Sequence, residues 1–299
     1  MYRIVACFLL PFVIGATKYA GEFQELGVGG RSCAMGGAGV AQFVEPSVVY
    51  FNPAGAFYVQ RAILLMHAEN FGGIVKNEFA SFVMRRGTMA LGFGVQYLSV
   101  GDIIFTTLSD TTGPPSSENP PIPYDTVGTR DLVLYINGAR GNEWLSYGAT
   151  IKVFYRDLAV MTGYGGGADL GIAMRFDYLS IGLAVRDFVL SPLIWDNGTT
   201  ENITSKISIG VAPFLPLERI NSTFTIACDC VKYIEYEGVQ FNLGFEYGFR
   251  EFIYGRAGIY GGNYTLGLGL RYKRFALDYS LVTHSELNNS NKISAGYAF

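Results

Sequence analysis

The chain has 299 residues, a formal net charge of −3, 49% hydrophobic and only 16% charged residues. Soluble domains carry roughly 25% charged residues, so this composition, with a mean hydropathy of +0.24, points to a protein that meets lipid. No apolar run reaches the roughly 18 residues that a membrane-crossing helix needs. A chain that is apolar overall but never apolar for long is what alternating strands produce. The acidic balance and the lack of any Lys/Arg run exclude nucleic acid as a partner.

In chain order, Arg3, the apolar stretch Ile4–Ile14 and the small pair Gly15-Ala16 read as a secretory signal peptide over residues 1–16. Cys7 would leave with it. Residues 17–60 form a second unit, rich in glycine and alanine and without period-2 alternation. Two helix starts are expected there: Ser47 after Pro46, and Asn52 as an N-cap with Pro53 at the first helical position. This segment is expected to be a hatch, tucked in a lumen or across the periplasmic mouth.

From residue 61 to 299 alternation recurs almost without a break. Met89, Leu91, Phe93, Val95 and Tyr97 interleave with Ala90, Gly92, Gly94 and Gln96; Tyr264, Leu266, Leu268 and Leu270 interleave with Thr265, Gly267 and Gly269. About fourteen such segments occur near the 9–11 residues of a tilted membrane strand, an even number as bacterial outer-membrane barrels require. Tight gaps at Arg86, Asp177 and Phe249-Arg250 alternate with long segments, of which the longest, 99–128, is proline-rich and expected to lie unpaired outside the membrane. The fold class predicted is therefore all-β: a transmembrane antiparallel β-barrel of about fourteen strands with a short N-terminal hatch.

If the large apolar side chains face lipid, the other parity lines the lumen. That face carries many glycines and few, mixed charges: Lys152, Asp169, Arg175, Arg186, Glu246, Arg271 and Asp278. A general diffusion porin would present rings of one sign, so it ranks as the alternative. The small residues either leave room for the hatch or a ligand, or relieve crowding in a curved sheet. Cys228 and Cys230, two apart on one strand, are expected to share the lipid face. At the end of the chain, Ile293, Ala295, Tyr297 and Phe299 alternate with small or polar residues; this is the expected closing strand, with Tyr297 and Phe299 resembling the signal that the barrel-assembly machinery reads.

The stretch Glu25-Leu26-Gly27-Val28-Gly29-Gly30-Arg31, continuing through Met35-Gly36-Gly37-Ala38 to Glu45-Pro46-Ser47 and Asn52-Pro53-Ala54-Gly55, resembles the N-terminal signature of the PorV/PorQ family, a compact branch of the FadL-type barrels. The resemblance covers residues 25–55. It implies a fourteen-strand outer-membrane barrel whose hatch contains Asn52, Pro53, Ala54 and Gly55. It also implies hydrophobic small molecules as cargo, or proteins of a type IX-like secretion system as partners. Glu45 stands where the family commonly has aspartate, and the chain is much shorter than the fatty-acid channels.

Catalytic chemistry is not expected. Only two histidines exist, His67 and His284, each read as an interfacial polar residue. Gly163 and Gly165–Gly167 lack the Lys-Ser/Thr of a phosphate loop, and Asp196-Asn197-Gly198 lacks the remaining ligands of a calcium loop. The sequence thus predicts a non-enzymatic, cofactor-free, integral outer-membrane protein contacting outer-membrane lipid. Its expected role is to pass or bind small hydrophobic compounds or to serve protein export, with a scaffold that binds a partner protein as the further alternative.

Overall fold

The computed structural model describes residues 20–188, 191–235 and 237–299. The expected signal peptide, 1–16, lies outside the described residues. Sixteen strands follow one another: β1 (Arg61–Asn70), β2 (Val75–Arg86), β3 (Met89–Thr107), β4 (Ile122–Gly141), β5 (Leu145–Asp157), β6 (Thr162–Arg175), β7 (Leu179–Arg186), β8 (Ser191–Trp195), β9 (Thr200–Ile203), β10 (Lys206–Leu217), β11 (Ser222–Tyr233), β12 (Gln240–Phe249), β13 (Ile253–Tyr260), β14 (Asn263–Tyr272), β15 (Phe275–Val282) and β16 (Ser290–Ala298).

Fourteen of them close into an antiparallel ring, in which β7 pairs with β10 and β16 pairs with β1. Closure gives both edges of every barrel strand a partner, and only a sheet without open edges is tolerated in hydrocarbon. At the seam Ile63 faces Tyr297 and Leu64 faces Gly296, and the Phe299 amide donates to the Arg61 carbonyl at 2.9 Å. β16 is thus the closing strand that its alternation predicts.

The two faces of the wall differ as a period of two requires. Leu91 is 49% exposed on the outer face and its neighbour Ala90 only 1%. Cys228 and Cys230 lie on the outer parity of β11, as expected, and both are free thiols. The connections separate by length, apart from the two-residue β13–β14 turn and the four-residue β1–β2 and β5–β6 links. Those joining β2–β3, β4–β5, β6–β7, β10–β11, β12–β13 and β14–β15 are short turns at one end, the periplasmic end in such barrels. The other connections gather at the opposite end.

Charge separates the same way. Arg86, Arg140, Arg175, Arg219, Arg250 and Lys273-Arg274 place an exposed base at every short turn, with Glu143, Asp177, Glu218 and Glu251 interspersed. The long connections contain acids from Asp110 to Glu286 and neither lysine nor arginine.

Two expectations are corrected at the long-connection end. Segment 99–128 is largely paired: β3 and β4 run on as a hairpin with Thr107 opposite Ile122, and Pro123 is accommodated by register shifts between Val100 and Ile103 and between Phe105 and Thr106. A proline tolerated at a bulge does not end a strand. Residues 189–203, read as a loop, contain the β8–β9 hairpin, and β8 pairs with β6 where β7 has already stopped. Asp196-Asn197-Gly198 forms its turn, with Gly198 at φ 83° and the Asp196 carboxylate accepting from the Thr162 amide at 2.9 Å.

Inside the ring lies the N-terminal segment. It folds as two short helices, α1 (Gly30–Ala34) and α2 (Val48–Phe51), and a 3-10 helix over Pro53–Tyr58 that leads through Val59 and Gln60 into β1.

Candidate functional site

The site is the interface between the hatch and the wall. Asn52 organises it. Its backbone is extended (φ −152°), its side-chain oxygen accepts from the Ala54 amide, and Pro53 begins the 3-10 helix, the predicted cap. Its amide nitrogen donates to the carbonyls of Val40 at 3.0 Å and Ile172 at 3.1 Å, so one side chain ties two hatch strips to β6. The other expected helix start behaves differently. Ser47 makes no side-chain cap, and its hydroxyl instead donates to Glu45 at 2.9 Å.

The hatch backbone lies directly on the wall, which decides between the two readings of the luminal glycines. A Cβ on Gly148 would fall 2.7 Å from the Pro53 carbonyl carbon, and one on Gly182 would fall 2.8 Å from that of Val40. On the opposite wall a Cβ on Gly244 would meet the Met35 side chain at 2.6 Å. These positions are small so that another backbone can approach. Gly163 and Gly165–Gly167 sit within β6, and Gly163 packs beneath the Trp195 ring.

The hatch touches two unlike surfaces. Toward β1–β6 it presents Phe23, Val48, Val49, Phe57 and Tyr58 to an apolar wall of Leu64, Phe79, Val83, Val133, Tyr135 and Phe154, all buried in one cluster. Toward β12–β15 the contact is ionic. Arg31 of α1 forks onto Glu246 at 2.7 and 2.8 Å; Glu246 also binds Arg256 at 2.6 Å; Arg256 reaches Asp278 at 2.7 Å, which accepts from Arg271 at 2.8 Å. Fork-on-carboxylate geometry of this kind fixes orientation as well as adding energy.

Two smaller polar clusters complete the ring. Lys152 bridges Asp169 and Asp187 at 2.8 and 2.7 Å and donates to Gln24 at 3.0 Å. Lys206 and Tyr233 both hold Glu25 of the hatch, at 2.5 and 2.9 Å. Burial pushes the Glu25 carboxyl up, but the Lys206 ammonium and the Arg186 guanidinium outweigh it and hold it at about 2. Glu45 has no cation in such contact, and burial, with the Asp278 carboxylate adding to it, raises its carboxyl above the usual range.

Of the seven luminal charges expected from sequence, Lys152 and Asp169 meet in one cluster, and Glu246, Arg271 and Asp278 in another. Arg186 is 4% exposed, lies 4.3 Å from the Tyr50 ring and leaves Nε and Nη2 without a hydrogen-bond partner. Arg175 joins no luminal cluster; it is exposed at the turn end, 5.8 Å from the Tyr58 ring. Alternation alone did not point to Arg256, Lys206 and Lys292, although they occupy the inward parity of their strands. Arg31 lay inside the hatch motif without any sign of its partner.

Two cavities adjoin the hatch, one beside the polar residues of β7–β12 and one at the β15–β16–β1 seam. One of about 50 Å³ is lined by Glu25, Arg186, Lys206, Asp229 and Gln240. The other, of about 110 Å³, is lined by Leu26, Cys33, Phe71, Val282, His284 and Lys292. His284 lies in the connection after β15 and lines this cavity, its ring tilted at 58° and 4.8 Å from that of Phe71. Burial, with Lys292 nearby, lowers its pKa. His67 lies on the outer face, paired with Glu78 at 2.6 Å.

No protein-family model matches the chain, and no curated protein matches it in sequence. In structure it is similar to the ΔS2S3 mutant of the monoaromatic hydrocarbon channel TodX, at 12% identity and a TM-score of 0.56, over 90% of this chain and 97% of that one. The ΔS2 mutant of the same channel gives 11% identity and a TM-score of 0.55, over 90% and 96%. At such identities the likeness shows a shared fold, that of an outer-membrane β-barrel with short helices packed inside.

Proposed function

We propose that this chain is a gated conduit for small apolar molecules in the outer membrane of a double-membrane bacterium. The observation that carries the reading is the cavity between hatch and wall, whose surface is mostly apolar, with Leu26, Cys33, Phe71 and Val282 beside the polar Asn70, His284 and Lys292. Its volume of about 110 Å³ is below the roughly 150 Å³ that holds one benzene in a protein interior. The arrangement is a closed state, and passage requires the hatch to shift. The fold shared with a monoaromatic hydrocarbon channel supports an apolar cargo, and the mixed charges of the lumen, mostly paired, argue against an open ionic pore.

The test is a pair of measurements. Intact cells of a host lacking its own hydrocarbon channel should take up a radiolabelled monoaromatic hydrocarbon faster when they carry this protein. Proteoliposomes should swell slowly in sugars. Brisk swelling without any gain in hydrocarbon uptake would replace the reading with a general porin.

A second reading, a membrane component of protein export, draws on the PorV/PorQ-like residues 25–55 and on the projecting β3–β4 hairpin, which gives a partner protein something to grip. Affinity capture from solubilised membranes should then lose its partner when residues 103–126 are removed. Unchanged capture would count against it.

A further inference from the structure

The outer face of the wall is not uniformly convex. Where β4 and β5 pair, Gly138 lies opposite Ala149, and Leu91 and Leu170 flank them on the neighbouring strands. Two small residues side by side on an otherwise bulky face leave a notch of about 580 Å³ that opens outward. A Cβ on Gly138 would meet nothing within 4 Å. No luminal contact therefore requires this glycine, in contrast to those beneath the hatch.

Two residue pairs nearer the turn end, on the same face, Arg140 lies opposite Tyr147. Both are exposed, Tyr147 at 57%. Trp144, 54% exposed, stands in the adjoining turn, the position of an interfacial aromatic belt. A long apolar body resting on Gly138 and Ala149 would thus have its polar head beside a guanidinium, a phenol and an indole. The same end of the barrel carries an exposed base at every short turn. Among the described residues none of these turn bases forms an ion pair.

The geometry points to a seat for an anionic phospholipid on the outside of the barrel, with an acyl chain in the Gly138–Ala149 notch and the phosphate held by Arg140 and Tyr147. Charge selects this occupant. A basic collar in contact with a bilayer attracts anionic headgroups, each Lys or Arg contributing about 1 kcal/mol, whereas a second copy of this chain would bring an equally basic collar against it. The inference requires that the barrel stand in a bilayer, as proposed above, but not that it pass any cargo.

Native mass spectrometry of the detergent-solubilised full-length protein tests it, with phosphatidylglycerol and phosphatidylcholine as probes. The unaltered protein should retain one phosphatidylglycerol in preference to phosphatidylcholine. Arg140→Gln should weaken that retention about fivefold, the equivalent of one lost cation. Gly138→Leu, which fills the notch without touching the lumen, should abolish it, and Ala149→Leu serves the same purpose if Gly138→Leu fails to fold. Arg219→Gln, at the β10–β11 turn four strands further around the collar, should leave the adduct intact. Equal retention of the two lipids, an adduct insensitive to Gly138→Leu or Ala149→Leu, an effect of Arg219→Gln as large as that of Arg140→Gln, or a protein dimer in place of the lipid adduct would each overturn the seat. Hydrocarbon uptake is not part of the readout, so the seat and the conduit can fail separately.

Discussion

The two halves of the lumen hold the same hatch by different physics. Toward β1–β6 the contact is mainly aromatic and aliphatic, with Phe57 and Leu64 each 1% exposed, beside the buried Lys152–Gln24 tie. Toward β12–β15 it is a chain of charges from Arg31 to Arg271. Apolar contact cannot be exchanged for anything water offers, so separating that half costs the full burial term. A paired charge can trade its partner for water once water enters, and desolvation already offsets much of what such a pair contributes. One cavity lies beside the polar residues of β7–β12 and the other at the β15–β16–β1 seam. Under the conduit reading proposed above, the contrast assigns sealing to the apolar half and release to the charged one.

The largest effect expected is from Glu246→Ala, which leaves the Arg31 guanidinium buried without its carboxylate and Arg256 with Asp278 alone. Removing one partner of a buried pair costs about 3–5 kcal/mol. Planar-bilayer recordings should show new openings, and silent recordings would break the division of labour. Leu64→Ala on the apolar half should cost about 2–5 kcal/mol in denaturant unfolding without raising conductance. Frequent openings in this variant would instead place the releasing side at β1.

Asn52→Ala removes a cap, one tie within the hatch and one to the wall. It should cost about 1–3 kcal/mol and raise protease cleavage within 20–60. The smallest effect concerns acid. Glu25 sits at about 2 in the folded protein against an ordinary 4.5, so its contribution is complete above 4.5 and fades as pH falls from there toward 2. Its side chain is 30% exposed, so solvent screens the pair and the loosening should be slight. Glu25→Gln should flatten that acid limb of protease sensitivity; an unchanged limb would assign it to other carboxylates. Glu45, raised by burial, works in the opposite direction and favours the folded form as acid protonates it.

Much of the barrel was legible because its rule is local. A strand with lipid on one side and a packed lumen on the other must alternate, and Met89–Tyr97 or Tyr264–Leu270 announces this within a few residues. Asn52-Pro53 was equally local, since cap and first turn adjoin in sequence. The β8–β9 hairpin was not legible, because four- and five-residue strands next to Asp196-Asn197-Gly198 carry too little alternation to separate from a loop. Nor were the ion partners: Arg31 and Glu246 are 215 residues apart, and no spacing rule links a hatch residue to one position on a distant strand. Glycines at 148, 182 and 244 were visible as a pattern, but their reason lay in the backbone opposite them.

Only Val59 and Gln60 separate the 3-10 helix from β1, a link that spans about 7 Å fully extended. The C-terminal end of the hatch is thereby tethered to the start of β1, while its 3-10 helix packs on β4–β6 and α1 packs on β13–β16 beside the charges. Under the conduit reading proposed above, a hatch fastened this way would swing like a door on a pin and not leave like a cork. Its return would be intramolecular, at an effective concentration set by the tether and not by how much protein is present. Opening would then be brief, and the barrel would reseal itself without help.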